Sequence, residues 1–166
     1  MRNDDYISAA LYLFAKDREG NWRILCGKRS GTDPRFCGGL MDVPCGMREE
    51  GEDIVGTVLR ELKEEAGITL KRSDVRFVEP QPWGYGNIGS NFISIADRLL
   101  PAGKMDFEHD FFKWIRVEEI DRYQWAFGMG AKARELFDRF VDNGEDRIRK
   151  IVQECIKKIF NMGDPG

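Results

Sequence analysis

Residues Gly46–Ile68 read GMREEGEDIVGTVLRELKEEAGI, and the rest of the chain is best read outward from them. Gly51-Glu52-Asp53 opens a helix, since acidic groups suit the positive end of the helix dipole. Ile54, Val55, Val58, Leu59, Leu62 and Ala66 recur at helical spacing and form an apolar stripe. Gly67 is a natural residue to end the helix. Glu61, Glu64 and Glu65 stand at i, i+3 and i+4, so three carboxylates crowd one face, expected largely opposite the stripe. Each like-charged pair costs an isolated helix roughly 0.2–0.5 kcal/mol. A divalent cation removes that repulsion, and hard oxygen donors suit magnesium or manganese.

Strands are expected on both sides of this helix. Tyr6–Phe14 (YISAALYLF) is an apolar, aromatic run that reads as a buried strand. A turn at 17–21 leads to a second strand, Trp22–Cys26, and the pair reads as a hairpin. Residues 27–39 mix Gly, Ser, Thr, Asp and Pro and read as loop, and Leu40–Val43 is a short strand stopped by Pro44. After the helix, Val75–Val78 is a short strand, and Glu79–Gly89 (EPQPWGYGNIG) reads as a Pro/Gly/aromatic loop. Asn91–Leu100 and Phe111–Val117 are further strands, followed by helices at Ala131–Val141 and Asp146–Phe160. Strands interleaved with helices predict α/β or α+β layers.

Composition narrows the class. At 166 residues, the chain fits one domain with a proper core. A hydrophobic fraction of 42% with 33% charged residues is that of a soluble globular protein. No apolar run is long enough to span a bilayer, and the N-terminal stretch does not read as a signal peptide. Cys26, Cys37, Cys45 and Cys155 include no CxxC pair, and the chain has only one histidine, so zinc-finger spacing is absent. Free thiols and a cytoplasmic location follow from that reading. A net charge of -3 argues against stable nucleic-acid binding, but a local cluster of cations can still hold one nucleotide.

The spacing also matches a known pattern. Gly46, Glu52, Arg60-Glu61, Glu64-Glu65 and Gly67, with aliphatic Leu62 and Ile68, resemble the complete Nudix box. Weaker likeness runs from about Ser8 to Ile120. The resemblance implies a Nudix α/β/α sandwich with a central mixed sheet. Length and pattern give a single Nudix domain over residues 1–166, with a C-terminal helical extension at about 131–160 that carries no assignable motif. The resemblance implies a hydrolase that cleaves the diphosphate of a nucleoside diphosphate linked to another moiety X. Mg2+ (or Mn2+) is the implied cofactor, since bound cations both neutralise a polyanion and activate water. The implied partner is a nucleotide or nucleotide derivative. No membrane partner is implied, and a homodimer is left open. The competing reading is a catalytically inactive Nudix-like module that binds nucleotide or regulates. Such modules usually lose box carboxylates, and this chain keeps them.

Roles carry over residue by residue. Glu64 and Glu65 are the implied core metal ligands, against the plain alternative of a solvated acidic helix face. Glu61 is implied as a metal ligand or as the general base. Arg60 and Glu52 resemble the charge-balancing pair that orients the carboxylates, with a surface salt bridge as the alternative. The family commonly has Gly-Gly where this chain has Cys45-Gly46, and a backbone carbonyl nearby binds metal. Cys45 is therefore an implied carbonyl ligand, provided its backbone avoids positive φ. Glu108, six residues before Trp114, stands where some Nudix enzymes place a metal-binding or basic glutamate; Asp106 and Asp110 compete with it. Arg29 is a candidate phosphate contact, as are Lys28 and Arg35. Trp83 and Tyr85, in the 80–87 loop, are candidates to stack on a base or simply to pack.

Overall fold

The computed structural model describes residues 6–31, 37–83, 87–103 and 106–142. Seven strands form one sheet: β1 (Ser8–Lys16), β2 (Trp22–Arg29), β3 (Met41–Asp42), β4 (Cys45–Met47), β5 (Arg76–Trp83), β6 (Asn87–Ala96) and β7 (His109–Arg116). The order is β3-β2-β1-β6-β5, with β4 added to β1 and β7 to β2. β1 and β6 run parallel, while the other pairings are antiparallel, so the sheet is mixed. The β1–β2 hairpin forms as expected, with Phe14 opposite Ile24.

The unbroken apolar run of β1 reflects cover on both faces. Leu11 and Leu13 pack with Ile54, Val58 and Leu62 of helix α1 (Ile54–Ala66). Tyr12 and Phe14, pointing the other way, pack with Met129, Ala133, Leu136 and Phe137 of helix α2 (Met129–Phe140). Two helical layers thus sandwich the sheet, each against its own apolar core. α1 begins where the sequence places it: the Asp53 side chain accepts from the Gly56 N–H at 2.7 Å. It ends at Gly67, whose φ of 72° lets its N–H reach the Lys63 carbonyl.

Two expectations need correction. The segment 79–89 is not one loop. Its first half extends β5 to Trp83 and its second half starts β6 at Asn87, with Pro80 opposite Ser90 and Pro82 opposite Ile88. β5 ends the strand order, and an edge strand tolerates proline because one side of its backbone needs no partner. β4, at Cys45–Met47, was not anticipated after Pro44. The expected helix at Asp146–Phe160 lies outside the described residues. Among the described residues, Cys26, Cys37 and Cys45 are free, and no helix is long and apolar enough to cross a membrane.

Candidate active site

The site forms where α1 crosses β4. Arg60 is its hub. Nε donates to Glu52 Oε1 at 2.8 Å and Nη2 to the Met47 carbonyl at 2.9 Å. Nη1 lies 2.9 Å from Glu64 Oε2 and 2.9 Å from Glu61 Oε1. The fork geometry of a guanidinium is what allows one side chain to hold three carboxylates and a carbonyl. Glu52 is fixed in turn by the Thr57 hydroxyl and the Glu49 N–H. The Arg60 hydrogen bond, with those further donors, keeps the Glu52 carboxyl below its ordinary range.

Gly46 makes room for this arrangement. A Cβ there would lie 2.0 Å from Glu61 Oε1, so any side chain displaces the Glu61 carboxylate. Cys45 adopts ordinary negative φ, so its replacement of glycine carries no backbone strain. Its N–H donates to Glu65 Oε2 at 3.1 Å. Its thiol is buried and pushed well above its usual pKa by desolvation, with Asp42 and Glu65 adding to the effect. A thiol held protonated in this way is no nucleophile at neutral pH.

The three glutamates do not share one solvated face. Glu64 is 57% exposed in its side chain, Glu61 only 13%, and Glu65 is buried. At about 100° per residue, Glu64 lies about 160° from core-facing Leu62, but Glu65 only about 60°. Glu65 therefore points inward beside the apolar stripe. Burial, followed by the charges of Asp42 and Glu61, pushes its pKa up to about 10. A bound cation would reverse that shift, so the pair Glu61 and Glu65 suits a divalent ion chemically.

Opposite α1, β3 and the start of β7 complete the wall. Arg29 Nη1 donates to buried Asp42 Oδ2 at 3.1 Å, and Nη2 lies 3.5 Å from Glu108 Oε2. A bulge between Lys28 and Arg29, opposite the start of β7, re-aims this end of β2. Arg29, Cys45, Arg60, Glu61, Glu64, Glu65 and Glu108 all line one cleft of about 500 Å³. Met47, Phe107 and Phe127 form part of its rim and are 55%, 87% and 51% exposed.

The sequence-derived candidates Glu52, Arg60, Glu61, Glu64, Glu65, Cys45, Arg29 and Glu108 thus converge on one place. Lys28 instead pairs with Asp110 at 3.2 Å. Trp83 closes the β5–β6 hairpin opposite Asn87. Tyr85 and Arg35 lie outside the described residues. Sequence reasoning missed Asp42 and His109. His109 is buried between Asp42 and Asp106, at 3.1 Å and 3.0 Å. An acid inside an apolar strand, and a lone histidine three residues after an aspartate, were the available signals.

The NUDIX domain profile matches residues 6–140. The chain belongs to the Nudix family, whose hydrolases generally use divalent metal ions. The chain is 31% identical over 111 residues to the NAD-capped RNA hydrolase NudC of Vibrio atlanticus, covering 66% of this chain and 39% of that one. It is 28% identical over 134 residues to Nudix hydrolase 6 of Arabidopsis thaliana, covering 78% and 42%. The chain therefore spans about two fifths of the length of these curated relatives. Among solved structures, the NUDIX domain of Shewanella oneidensis NrtR, crystallised with ADP ribose, superposes with a TM-score of 0.70 at 16% identity, over 82% of this chain and 89% of that one.

Proposed function

We propose that this chain is a metal-dependent pyrophosphohydrolase that cleaves the diphosphate of a nucleoside diphosphate linked to another moiety. One observation carries the reading: Arg60 holds Glu52, Glu61 and Glu64 together at the mouth of a cleft that also contains Glu65, Arg29 and Glu108. An unfilled surface has no need of such a costly concentration of carboxylates. Relatives whose names record hydrolysis, and a neighbour crystallised with ADP ribose, support the same reading.

Glu61, Glu64 and Glu65 would hold Mg2+ or Mn2+, with the Cys45 carbonyl as a further ligand. When bound, the cation supplies charge neutralisation at phosphate and lowers the pKa of bound water. The remaining work falls to the chain. Arg60 and Glu52 set the carboxylate positions, and Arg29 faces the phosphates. Glu61 or Glu108 accepts the proton of the attacking water as one phosphorus–oxygen bond forms and the bridging one breaks. A nucleoside monophosphate and a phosphorylated X leave. Trp83, at the end of β5, and Tyr85 are proposed to contact the base. The organisation proposed with this activity is a single domain.

The test is release of nucleoside monophosphate from a panel of nucleoside diphosphate derivatives with Mg2+ or Mn2+. Turnover of at least one member is expected. Tight binding without turnover of any member would instead favour the inactive, ligand-binding alternative.

A further inference from the structure

Behind the glutamates of α1 lies a second constellation, built on the chain's one histidine. His109 is fully buried, and both ring nitrogens face carboxylates: Nε2 is 3.1 Å from Asp42 Oδ2, and Nδ1 is 3.0 Å from Asp106 Oδ2. One donor atom from each of Glu65, Asp106 and His109 lies within 4.8 Å of the other two. The geometry points to a mixed nitrogen–oxygen site, made by Glu65, Asp106 and His109, for a first-row transition divalent cation such as Mn2+. Asp42 stands behind the imidazole as its positioning carboxylate. The site deepens the metal requirement of the proposed hydrolase, with which it shares Glu65.

Four observations support this site. First, a neutral imidazole carries one N–H. With that proton on Nε2 and donated to Asp42, Nδ1 turns a lone pair toward the Asp106 carboxylate. Two lone pairs at 3.0 Å repel unless a proton or a metal cation sits between them. Ligands about 2.1 Å from a cation and at right angles to each other are about 3 Å apart, which is this spacing. Second, a metal-bound histidine ordinarily donates its other N–H to a carboxylate, and Asp42 is so placed.

Third, Asp42 Oδ1 is buried and has no hydrogen-bond partner among the described residues. A bare carboxylate oxygen in the interior is costly, and a nearby cation offsets that cost. Asp42, Glu65 and Asp106 gather three carboxyl groups here against one guanidinium, that of Arg29, which Glu108 also shares. Fourth, the space for the His109 ring and for Phe112 beside it is built: a Cβ on residue 27 would lie 2.7 Å from Phe112 Cζ and 2.9 Å from His109 Cδ2, and that residue is Gly27. The nitrogen donor then sets the metal class. Imidazole favours later first-row divalent ions over Mg2+, which prefers oxygen and retained water.

The competing arrangement is an imidazolium bridging Asp42 and Asp106 with no metal. Pulsed electron paramagnetic resonance on the full chain titrated with Mn2+ separates the two, because a coordinated imidazole imprints a 14N modulation on the manganese echo. Expected is a one-imidazole signal in the wild type that disappears in His109→Gln. Mn2+ affinity should fall by about 10- to 100-fold in Asp42→Asn. Mg2+ should displace the bound Mn2+ only in large excess. Mn2+ bound without nitrogen modulation overturns the proposal, as does a modulation that survives in His109→Gln. If His109→Gln does not fold, the wild-type spectrum together with Asp106→Asn decides. No nucleotide is present, so this outcome and that of the turnover assay are independent.

Discussion

The Arg60 network and the His109 network border the same cleft, but the chain assembles them differently. Arg60, Glu61 and Glu64 come from five consecutive positions on α1, and Glu52 lies two residues before its start. Their side chains meet because helical spacing brings them together. Asp42, Glu65, Asp106 and His109 come from β3, α1 and the entry to β7, and meet only once the sheet has formed. The first network is partly wet, with Arg60 19% and Glu64 57% exposed. The second is sealed, with His109 and Asp42 fully buried. Charges at the cleft mouth can be set by local sequence. Charges at its back need the whole fold to hold them, and need an ion or a counter-charge to be tolerated there.

The contrast is sharpest within one dipeptide. Glu64→Gln and Glu65→Gln should each lower kcat by at least about 10²-fold while the fold stays intact, as expected when charge is removed at a metal without a change of size. The buried residue should show the larger loss. Steady-state kinetics at saturating metal check this, and unchanged kcat in both variants would detach the glutamates from the chemistry.

A smaller loss is expected from Gly46→Ala. The added methyl must push the Glu61 carboxylate aside, so kcat should fall by about 10-fold with the melting temperature little changed. A variant that melts early but turns over normally would make Gly46 a folding residue rather than part of the site.

The sequence made the mouth of the cleft readable and left its back wall dark. α1, its Asp53 cap and its Gly67 stop follow from local rules, and so do the Arg60 partners at helical spacing. Glu65 was legible as an acid but not as a buried one, because whether a flank of the stripe faces solvent depends on β4 covering it. Asp42 sat unnoticed in a four-residue apolar strand. His109 looked like a lone histidine because its partners are distant in sequence or lie in a loop. The prolines of β5 hid a strand, since proline is a breaker in general but not at a sheet edge.

Stability should divide the two networks as well. Arg60→Ala removes the contacts to Glu52, Glu61, Glu64 and the Met47 carbonyl and should cost about 1–3 kcal/mol. The Glu52 carboxyl is held low in the folded chain, so its contribution is complete above its ordinary value of 4.5 and is lost as pH falls through the folded value. Melting curves of the wild type and Arg60→Ala should therefore converge on acidification. A constant gap down to low pH would mean that Arg60 acts through packing rather than through Glu52.

The smallest functional effect is expected far from the cleft. Asp17 accepts from the Asn21 N–H and from Arg23 Nε, both at 2.8 Å, in the β1–β2 turn. Burial opposes its ionisation, but the Arg23 and Asn21 donors prevail and hold its pKa at about 2. Asp17→Asn should lower stability by about 1–3 kcal/mol at neutral pH, a loss that fades as pH falls through about 2, and should leave kcat unchanged. A fall in turnover there would show that the cleft is sensitive to any loosening of the sheet.

On the proposed function, this cleft hydrolyses a nucleotide diphosphate linkage only with a divalent cation in place. The direct measurement takes the best substrate of the nucleotide panel and follows its turnover before chelation, after exhaustive chelation, and after Mn2+ or Mg2+ is returned. Activity should be lost on chelation and restored by the metal in the wild type, but not restored to that level in Glu65→Gln. Full activity in the chelated protein, or full restoration in Glu65→Gln, would contradict it.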